Sequence, residues 1–444
     1  SMGSVMGKVF ILTYGCQMNE YDTDKMFELL GTQNYTPAST MDEADLVLLN
    51  TCSVRDKAEQ KVYSELGRMR RLKKQNPNVK IGVGGCVAQQ EGAKILKRAE
   101  NVDFVFGTDN LFELPEILKE TEKGARPVQI NRLAPRQKVR DFIPEFSTSA
   151  SNIPALKAHL AITKGCNNYC SFCVVPLTRG TEVSRSPQNI LEEATRLCDN
   201  GTREICLLGQ NVNSYNANGV DFVELLQKLD GIKNLERIRF TSPHPKDFHP
   251  KLADAMTSLP SVCEQLHLPL QSGSNEVLKR MRRWYTTQTY LEKVEMFRNR
   301  MPEGTISTDL IVGYPGETEE DFQKTLEMMQ EVRFDLIYAF KFSIRPGTRA
   351  AEEENQLSDQ IKSERLRILL ETHERILREK QEFMVGSRQE VLVEGPHPRE
   401  TGNMSGRTRG NHSVMVRGTE GLSGSLLPVK ITGFRTYILE AEAA

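Results

Sequence analysis

The sequence predicts an α/β protein in three parts: an open parallel-sheet domain, a central partial TIM-like (β/α)6 barrel and a small C-terminal β-barrel. Two observations support this class. Over most of the 444 residues, short apolar runs alternate with amphipathic helical stretches, which is typical of βα units around a parallel sheet. After residue 384 the helical stretches stop, and short β-like runs separated by Gly and Pro replace them.

The first part is predicted to span residues 1–122. Its strands are expected at residues 9–13, 46–50, 80–83 and 102–106, and its helices at residues 21–30, 56–74 and 89–99. Residues 123–153 lack periodicity and carry Lys and Arg among prolines. This segment predicts a basic linker or extended arm, and the alternative is a merely solvated linker.

The second part, residues 154–383, repeats the βα alternation six times. Its strands are expected at residues 159–163, 204–208, 237–241, 265–270, 305–312 and 335–342. Six units fit a partial TIM-like barrel with its functional end at the strand carboxyl ends. A long charged helix over residues 358–383 closes this domain. Residues 384–444 then predict the small β-barrel, with strands expected at 389–393, 412–416, 426–431 and 436–441.

Composition limits the function classes. The chain has 59 acidic and 58 basic residues, which excludes a large, uniformly basic nucleic-acid surface but not local basic patches. No apolar run approaches the ~20 residues that span a bilayer, and no signal-peptide pattern is present, so we expect a cytoplasmic protein with no membrane partner. Nine cysteines, an odd number, argue against a disulfide framework and for chemical or metal-binding roles.

The sharpest motif is Cys166-x-x-x-Cys170-x-x-Cys173, which directly follows the first predicted barrel strand. Three thiolates on one tight loop can bind three irons of a 4Fe–4S cluster and leave the fourth iron open. The alternative is a zinc site. Zinc prefers four ligands, however, and no nearby His completes the set.

Cys16, Cys52 and Cys86 form a second set, because each follows a predicted strand of the first part at separations of 36 and 34 residues. The carboxyl ends of strands in an open parallel sheet share one edge, so we expect the three thiols to converge there. Three converging thiolates again describe an iron–sulfur site, and the alternative is three buried structural cysteines. The remaining cysteines are interpreted as core residues: Cys198, Cys206 and Cys263.

Polar or Gly-rich residues follow several predicted barrel strands and suit a ligand cradle. Gly permits close backbone approach, and short polar side chains orient a ligand; the alternative for each is an ordinary turn. Arg185, after the cysteine loop, is predicted to pair with a ligand carboxylate. The strand-end candidates are Gly209, Gln210, Asn211, Ser242, Gln271 and Asp309.

Two segments combine features that suit RNA. The first runs from Lys279 to Tyr285 and places cations beside aromatic rings, which suits phosphates and unstacked bases; the alternative is a solvated helix end. The second is a Gly- and Arg-rich segment after residue 405. The candidate RNA-binding residues are Arg282, Arg283, Tyr285, Arg407 and Arg409.

Taken together, these features resemble the methylthiotransferase family of radical S-adenosylmethionine (SAM) enzymes over residues 8 to 441. The segments with the closest resemblance match the branch that modifies N6-isopentenyladenosine in tRNA. They are Tyr14-Gly15-Cys16-Gln17-Met18-Asn19, Thr178-Arg179-Gly180-Thr181-Glu182-Val183-Ser184-Arg185, Leu208-Gly209-Gln210-Asn211-Val212-Asn213 and Phe240-Thr241-Ser242-Pro243-His244-Pro245.

The resemblance implies two 4Fe–4S clusters, an auxiliary one on Cys16, Cys52 and Cys86 and a radical SAM cluster on Cys166, Cys170 and Cys173. It implies SAM as both methyl donor and radical source, with Phe172 and Phe342 among its contacts. Catalysis would then rest on cluster-bound SAM and its 5′-deoxyadenosyl radical, so no side chain is assigned as a general base.

The resemblance also implies that the C-terminal β-barrel is a TRAM RNA-binding domain. The implied partners are a tRNA anticodon stem-loop carrying N6-isopentenyladenosine 3′ of the anticodon, a reductant such as a flavodoxin, and iron–sulfur assembly machinery. We expect a monomer.

Three alternatives stay open. One is a radical SAM enzyme that only cleaves its cofactor or only methylates. A sibling enzyme would act on N6-threonylcarbamoyladenosine in tRNA or on an aspartate of a ribosomal protein. A protein of another class would be a non-catalytic RNA-binding protein with structural metal sites.

Overall fold

The computed structural model describes residues 7–53, 57–133, 155–241, 243–418 and 421–444. The helices are α1 (Gln17–Thr32), α2 (Ala58–Arg68), α3 (Arg70–Gln75), α4 (Cys86–Glu91), α5 (Ala93–Arg98), α6 (Leu114–Glu122), α7 (Val175–Thr178), α8 (Pro187–Asp199), α9 (Phe222–Asp230), α10 (Pro250–Ser258), α11 (Asn275–Met281), α12 (Thr287–Arg300), α13 (Glu319–Val332) and α14 (Asp359–Met384).

The strands alternate with these helices until residue 384 and then follow one another directly. They are β1 (Gly7–Thr13), β2 (Tyr35–Pro37), β3 (Leu46–Thr51), β4 (Lys80–Gly85), β5 (Phe104–Phe106), β6 (Val128–Gln129), β7 (Lys157–Ala161), β8 (Thr163–Lys164), β9 (Val183–Ser184), β10 (Glu204–Leu208), β11 (Asn216–Ala217), β12 (Val220–Asp221), β13 (Arg237–Phe240), β14 (Gln265–His267), β15 (Thr305–Val312), β16 (Leu336–Lys341), β17 (Arg388–Pro396), β18 (Asn403–Thr408), β19 (Ser413–Arg417), β20 (Leu426–Arg435) and β21 (Ile438–Ala443).

The first domain is an open six-stranded sheet of order β2-β1-β3-β4-β5-β6 in which every neighbouring pair is parallel. Helices cover both faces, so all six residues of the central strand β3 are buried. Val47 and Leu49 pack in one apolar cluster and Leu46 and Leu48 in another, as the two-residue period of a strand requires. The predicted parallel sheet is confirmed.

The predicted helices of this domain are longer or more divided in the structure. The helix expected over residues 56–74 is two helices, α2 and α3, separated at Met69. The helix expected over residues 89–99 is also two, because Gly92 adopts a φ of 52° between α4 and α5. A left-handed residue cannot continue a right-handed helix.

The central domain consists of two three-stranded parallel sheets, β13-β10-β7 and β14-β15-β16. They meet where the backbone of Ile238 in β13 pairs with Val262, just before β14. The six strands and the helices between them enclose one continuous apolar core, to which Leu369 and Ile376 of α14 contribute. The predicted partial (β/α)6 barrel is confirmed.

The C-terminal domain is a closed five-stranded barrel of order β17-β18-β19-β21-β20. Its interior is filled by apolar side chains that alternate along the strands, including Val391, Val414, Val416 and Ile431. Strand β18 was not among the predicted strands, because its sequence Asn-Met-Ser-Gly-Arg-Thr is mostly polar and small. The predicted small β-barrel is confirmed.

Polar contacts bind the domains to one another. On one side, Lys25 of α1 reaches Glu193 of α8 at 2.7 Å. At the opposite end of the central barrel, Arg237 of β13 donates to backbone carbonyls of Arg407 and Glu390 at 2.8 Å each. The predicted domain boundaries at residues 122, 153 and 383 stay predictions, and residues 134–153 of the predicted linker lie outside the described residues. No helix in the described part of the chain has the length and apolar character needed to cross a membrane.

Candidate functional site

The first cysteine set lies at one edge of the parallel sheet. Cys16 precedes α1, Cys52 directly follows β3, and Cys86 is the first residue of α4. The strands that lead to them, β1, β3 and β4, are neighbours in the sheet. Because parallel strands end at the same edge, the fold brings these three thiols to one end of the domain. We call this set the sheet triad.

Two buried side chains fix the loops of the sheet triad. Asn19 Nδ2 donates to the backbone carbonyls of Tyr14 at 2.9 Å and Thr51 at 2.7 Å. Thr51 Oγ1 donates to the carbonyl of Gly84 at 2.5 Å and accepts from the amide of Val87 at 3.1 Å. Both Asn19 and Thr51 are fully buried, so these bonds hold the ends of all three strands together without competition from water.

The sheet triad favours a thiolate at one position. A hydrogen bond with Cys52 lowers the pKa of Cys16 to about 6; burial opposes this shift, and the nearby Arg179 charge supports it. Cys16 is also the exposed member, whereas Cys52 and Cys86 are buried. Since the thiolate is the form that binds metal, the site is electrostatically prepared for a metal group.

The second cysteine set, Cys166, Cys170 and Cys173, lies on the loop between β8 and α7; we call it the loop triad. Its start is held by the amide of Gly165, which donates to Gln210 Oε1 at 2.7 Å. Gly165 has a φ of 79°, and a Cβ there would overlap the carbonyl of Thr181. The tight approach of this loop to the next turn therefore requires glycine.

Two thiols of the loop triad have raised pKa values, in contrast to the lowered pKa of Cys16 in the sheet triad. Burial raises the pKa of Cys173 to about 12 and also raises the pKa of Cys166. Arg283 Nη1 donates to Cys170 Sγ at 3.2 Å and is itself buried. A thiol with a raised pKa loses its proton when a metal binds. The guanidinium of Arg283 places a positive charge beside Cys170 Sγ, which favours the thiolate form of Cys170.

Each triad suits a 4Fe–4S cluster by its donor set. Three thiolates can each bind a different iron and leave the fourth iron open. Among the described residues, no three His, Cys, Asp or Glu side chains stand close enough to hold a single metal ion.

The two triads lie on facing sides of the contact between the first domain and the barrel. Helix α4, which begins at Cys86, packs against α7, which begins two residues after Cys173. The carbonyl of Thr178 at the end of α7 accepts hydrogen bonds from Thr108 Oγ1 at 2.5 Å and Arg132 Nη1 at 2.8 Å. These two hydrogen bonds therefore hold the helix that follows the loop triad against the first domain.

Arg179 links the end of α7, the helix that follows the loop triad, to α1 of the first domain. It follows α7 and is buried, and its Nη2 donates to Asn19 Oδ1 at 2.9 Å and to Asp22 Oδ2 at 3.2 Å. Burial lowers the pKa of Arg179, but the nearby charges of Cys86, Asp22 and Cys16 outweigh it and raise the pKa. Sequence reasoning assigned no role to Arg179. Its place between two cysteine motifs in the folded chain could not be read from its neighbours in sequence.

The barrel mouth holds buried polar atoms that have no partner among the described residues. They are Thr163 Oγ1, His244 Nε2 and Gln271 Oε1, each near the carboxyl end of a barrel strand. His244 Nδ1 accepts from the amide of Lys246 at 3.1 Å, so the ring proton sits on Nε2, which is a donor. Burial lowers the pKa of His244 to about 2, which keeps the ring neutral. One donor and two acceptors at one mouth fit a polar ligand such as SAM.

The predicted cradle residues occupy this mouth with different functions. Gln210 holds the loop triad through Gly165, as described. Asn211 bridges two turns, since Nδ2 donates to Asp247 Oδ2 at 2.9 Å and Oδ1 accepts from the His244 amide at 3.1 Å. Asp309 Oδ1 lies 3.2 Å from His267 Nε2. Gln271 has a φ of 72° and a buried side chain, a strained backbone of the kind that marks ligand sites.

The remaining cofactor predictions are placed as follows. Phe172 and Phe342 pack in the same apolar cluster beside the loop triad. Gly209 lies where a Cβ would overlap Thr163 Oγ1, so a side chain would close this part of the mouth. Ser242 lies outside the described residues.

Arg185 is held by three partners near the contact with the first domain. Its Nη2 is 2.5 Å from Glu193 Oε2, its Nε donates to Asn189 Oδ1 at 2.6 Å, and its Nη1 donates to the carbonyl of Ala161 at 3.1 Å. The side chain is 2% exposed. The pairing of Arg185 with a ligand carboxylate stays a prediction.

Two of the predicted RNA residues in the 279–285 segment point inward. Arg283 contacts Cys170, and its Nη2 donates to the carbonyl of Pro269 at 3.2 Å. The Tyr285 hydroxyl donates to the carbonyl of Leu270 at 2.7 Å. These contacts place Arg283 and Tyr285 in the wall of the barrel mouth, and RNA binding by these two residues stays a prediction. Arg282 lines a surface cavity.

The predicted RNA residues of the C-terminal domain hold that domain to the barrel. Arg409 Nε and Nη2 donate to the Glu264 carboxylate at 2.8 and 3.0 Å. Arg407 lies in β18, where its carbonyl accepts from Arg237 and its side chain donates to the carbonyl of Asn411 at 3.2 Å. Both contacts lie at the amino ends of the barrel strands, opposite the mouth. Arg407 makes a contact between the same two domains through its backbone, and RNA binding by Arg407 and Arg409 stays a prediction.

The other cysteines are buried or half-buried, in agreement with their prediction as core residues. Cys198 packs in the barrel core, Cys206 is half-buried beside a smaller apolar cluster, and Cys263 is buried.

Three family models match the chain in succession. Residues 8–107 match an uncharacterised protein family designated UPF0004, residues 160–329 match the radical SAM superfamily, and residues 382–444 match the TRAM domain. The first match contains the whole sheet triad, and the second contains the whole loop triad.

Curated relatives align over nearly the full length. A tRNA-2-methylthio-N(6)-dimethylallyladenosine synthase from Bdellovibrio bacteriovorus is 46% identical over 430 residues, which covers 96% of this chain and 93% of that protein. Enzymes of the same name from an Acidovorax species and from Pelotomaculum thermopropionicum are 45% and 43% identical, covering 98% and 97% of this chain and 97% and 96% of their own.

Solved structures with a similar fold are more distant. The radical SAM methyltransferase TsrM from Kitasatospora setae, with cobalamin and a 4Fe–4S cluster bound, superposes with a TM-score of 0.59 at 14% identity, covering 78% of this chain and 76% of that one. The cobalamin-dependent radical enzyme OxsB gives a TM-score of 0.52 at 14% identity, covering 78% of this chain and 54% of that one. At this identity the similarity shows the fold alone.

Proposed function

Because the chain belongs to the family of tRNA-2-methylthio-N(6)-dimethylallyladenosine synthases, we propose that it inserts a methylthio group at C2 of N6-isopentenyladenosine in tRNA. Dimethylallyl and isopentenyl name the same substituent in this context. The protein is a radical SAM methylthiotransferase, and the expected product is 2-methylthio-N6-isopentenyladenosine. The family membership confirms the resemblance inferred from the sequence.

The observation that carries the proposal is the pair of cysteine triads, one in the first domain and one in the barrel, at a contact between these two domains. A reaction that brings a sulfur-containing group and a radical to one substrate carbon needs two metal sites close together. We propose the two triads as these sites, and the buried contacts of Arg179 with Asn19 and Asp22 as a link between their domains.

The residues divide into three tasks. The radical SAM family implies a 4Fe–4S cluster and SAM, and we propose the loop triad as its ligands. When bound, this group supplies a radical able to activate an aryl C–H bond that offers no handle for acid–base chemistry. The sheet triad is the proposed holder of a second cluster. The unpartnered polar atoms of Thr163, His244 and Gln271 are proposed to orient SAM at the mouth.

The partners follow from this reaction. The TRAM domain and the relatives' names support a tRNA substrate, and we propose the anticodon stem-loop, with the isopentenylated adenosine 3′ of the anticodon. The base has to leave its stack to enter the barrel mouth. A flavodoxin-like reductant, iron–sulfur assembly machinery, a monomeric state and a cytoplasmic location are further parts of the proposal.

Mass spectrometry of a modified RNA tests the proposed function. An isopentenylated anticodon stem-loop is incubated anaerobically with the reconstituted protein, SAM and a strong reductant. A mass gain equal to a methylthio group replacing hydrogen on the adenine is the expected result. The matched control is the same stem-loop with unmodified adenosine, which should gain mass more slowly or not at all.

The other outcomes separate the alternatives. If 5′-deoxyadenosine accumulates without modified RNA, the acceptor is that of a sibling enzyme, and N6-threonylcarbamoyladenosine RNA or a ribosomal protein is tried next. If a protein shown to carry both clusters forms neither product, the enzymatic proposal is wrong and a non-catalytic RNA-binding protein remains.

A further inference from the structure

A surface cavity lies immediately outside the barrel mouth, between the turn after β13, α11 and the start of α12. Its volume is about 690 Å³, within the range of small-ligand pockets. Tyr285 lines it from the inside and packs edge-on against His244, with ring centroids 5.7 Å apart. The same Tyr285 accepts a hydrogen bond from Arg283, which contacts Cys170. One layer of side chains thus separates this cavity from the loop triad.

Trp284 lies at the rim of the cavity, and both its exposure and its backbone conformation are unusual. It is the only Trp of the chain, and it is 65% exposed. Its φ is 65°, a left-handed conformation that is a genuine outlier for a bulky residue. Strained backbone of this kind persists where surrounding structure holds it, and it clusters at ligand clamps. Because most of the Trp284 ring is exposed, burial of the ring within the chain does not offset the cost of this strained backbone.

The charge around the cavity suits an anion. Four cationic residues line it, Lys246, Lys279, Arg282 and Lys293, against two carboxylates, Glu276 and Glu292, a net charge of +2. Lys293 Nζ donates to the carbonyl of Phe248 at 2.6 Å. The side chains of Lys246, Lys279 and Arg282 make no hydrogen bond or ion pair with another described residue, and the two lysines are exposed. Three cations are therefore available at the rim beside one aromatic face.

We propose that this cavity binds a nucleotide of single-stranded RNA next to the target adenosine, with its base stacked on Trp284 and its phosphates near Lys246, Lys279 and Arg282. The inference rests on the proposed function, because it presumes that the substrate reaching the mouth is RNA. Stacking on an aromatic ring plus backbone contacts to cations is the usual recognition of unpaired nucleotides. The site holds the loop in place while the flipped target base lies on the other side of Tyr285.

Intrinsic fluorescence tests the stacking directly, because Trp284 is the only tryptophan. The holoenzyme is titrated anaerobically with the isopentenylated stem-loop, and with a fully paired duplex as control. Quenching of Trp284 emission that saturates with the stem-loop, but not with the duplex, is expected. Emission that stays constant while an independent anisotropy signal shows bound stem-loop would overturn the proposal.

Variants at position 284 give the second readout. Trp284→Gly removes the ring and also relieves the left-handed strain, so its thermal midpoint should be unchanged or higher. Its affinity for the stem-loop should fall roughly 5- to 150-fold, the range for loss of one base–aromatic stack. Trp284→Phe keeps a ring and should retain most of the affinity. Equal affinity of Trp284→Gly and the parent would overturn the proposal.

The phosphate contacts have a separate signature. Lys246→Ala with Lys279→Ala should lower the slope of log affinity against log salt by roughly 1.4, because each phosphate contact on a single strand contributes about 0.7. Lys228→Ala, an exposed lysine on α9, is the matched control and should leave the slope unchanged. An unchanged slope in the double variant would show that these lysines do not contact the RNA backbone.

The two proposals fail separately. If the parent methylthiolates the stem-loop and Trp284→Gly does so with the same KM, the cavity proposal is wrong and the proposed function stands. If the parent modifies no RNA but its Trp284 emission is quenched by the stem-loop, the cavity proposal stands and the proposed function is wrong.

Discussion

Replacing Glu193 by Ala removes the carboxylate that links the first domain to the barrel. Glu193 Oε1 accepts from Lys25 Nζ at 2.7 Å, and Oε2 lies 2.5 Å from Arg185 Nη2. The exposed fractions of Glu193, Lys25 and Arg185 are 8%, 4% and 2%. The substitution leaves two buried cations without their shared acid, so we expect it to destabilise the contact that sets the two triads against each other.

Two arguments give the same magnitude. Breaking a buried ion pair by removing one partner costs about 3–5 kcal/mol. Burial raises the pKa of Glu193, but the charges and hydrogen bonds of Arg185 and Lys25 outweigh it and lower the pKa to about 2 from an ordinary 4.5. A difference of about 2.5 pKa units corresponds to about 3 kcal/mol of folding free energy. Because the folded pKa is depressed, this contribution is complete above pH 4.5 and is lost as pH falls towards 2.

Thermal unfolding measures this effect. At pH 7, Glu193→Ala should lower the melting temperature by roughly 6–12 °C if the domains unfold as units of 150–250 residues. The matched control is Glu192→Ala, since Glu192 is exposed and accepts only from Gln188 at 3.2 Å. The difference between Glu193→Ala and the parent should narrow between pH 4.5 and pH 3. Equal melting of the two variants at pH 7, or a difference that does not change with pH, would refute the reasoning.

Three further predictions follow. Gly15→Ala should abolish iron binding at the sheet triad and leave iron binding at the loop triad unchanged, because Gly15 has a φ of 98° and a Cβ there would overlap Cys52. The control Gly67→Ala, whose Cβ would meet open space, should keep the parent's iron content. Arg237→Met should speed tryptic cleavage between the barrel and the C-terminal domain, since Arg237 is buried and donates to carbonyls of that domain, whereas exposed Lys233→Met should not. Arg283→Met should lower the reduction potential of a cluster on the loop triad, as loss of a hydrogen bond to a ligand sulfur does; an unchanged potential in a redox titration would contradict this.

The fold class was predictable because local pattern and topology agree. The fully apolar run of β3 predicts a strand buried on both faces, and six repeats of strand and helix predict a partial barrel. The sequence did not reveal β2 and β6, which have three and two residues, or β18. Such short or polar strands are defined by their neighbours rather than by periodicity.

The two cysteine triads were predictable for the same reason. Parallel topology alone places Cys16, Cys52 and Cys86 at one edge, and a single loop carries the other three. The sequence could not show how the first domain contacts the barrel. Arg179 and Glu193 make this contact with residues that lie more than 150 positions away in the chain.

The direction of individual side chains also could not be predicted from the sequence. A run of Arg and aromatic residues indicates affinity for RNA, but consecutive positions on one turn point to opposite sides. Arg283 enters the wall of the mouth, whereas Trp284 stays exposed. Likewise, the sequence around Arg409 predicts an exposed cation on a loop. In the structure, Arg409 donates to Glu264 across the contact between the C-terminal domain and the barrel.

The division of work between the triads is tested most directly by one anaerobic assay that measures 5′-deoxyadenosine and methylthiolated stem-loop together. Three variants are compared, with all three cysteines of one set changed to Ala in each: the sheet triad, the loop triad, and the control set Cys198, Cys206 and Cys263. The sheet-triad variant should form deoxyadenosine but no methylthiolated RNA, the loop-triad variant neither product, and the control both. Methylthiolated RNA from the sheet-triad variant, or deoxyadenosine from the loop-triad variant, would contradict the account.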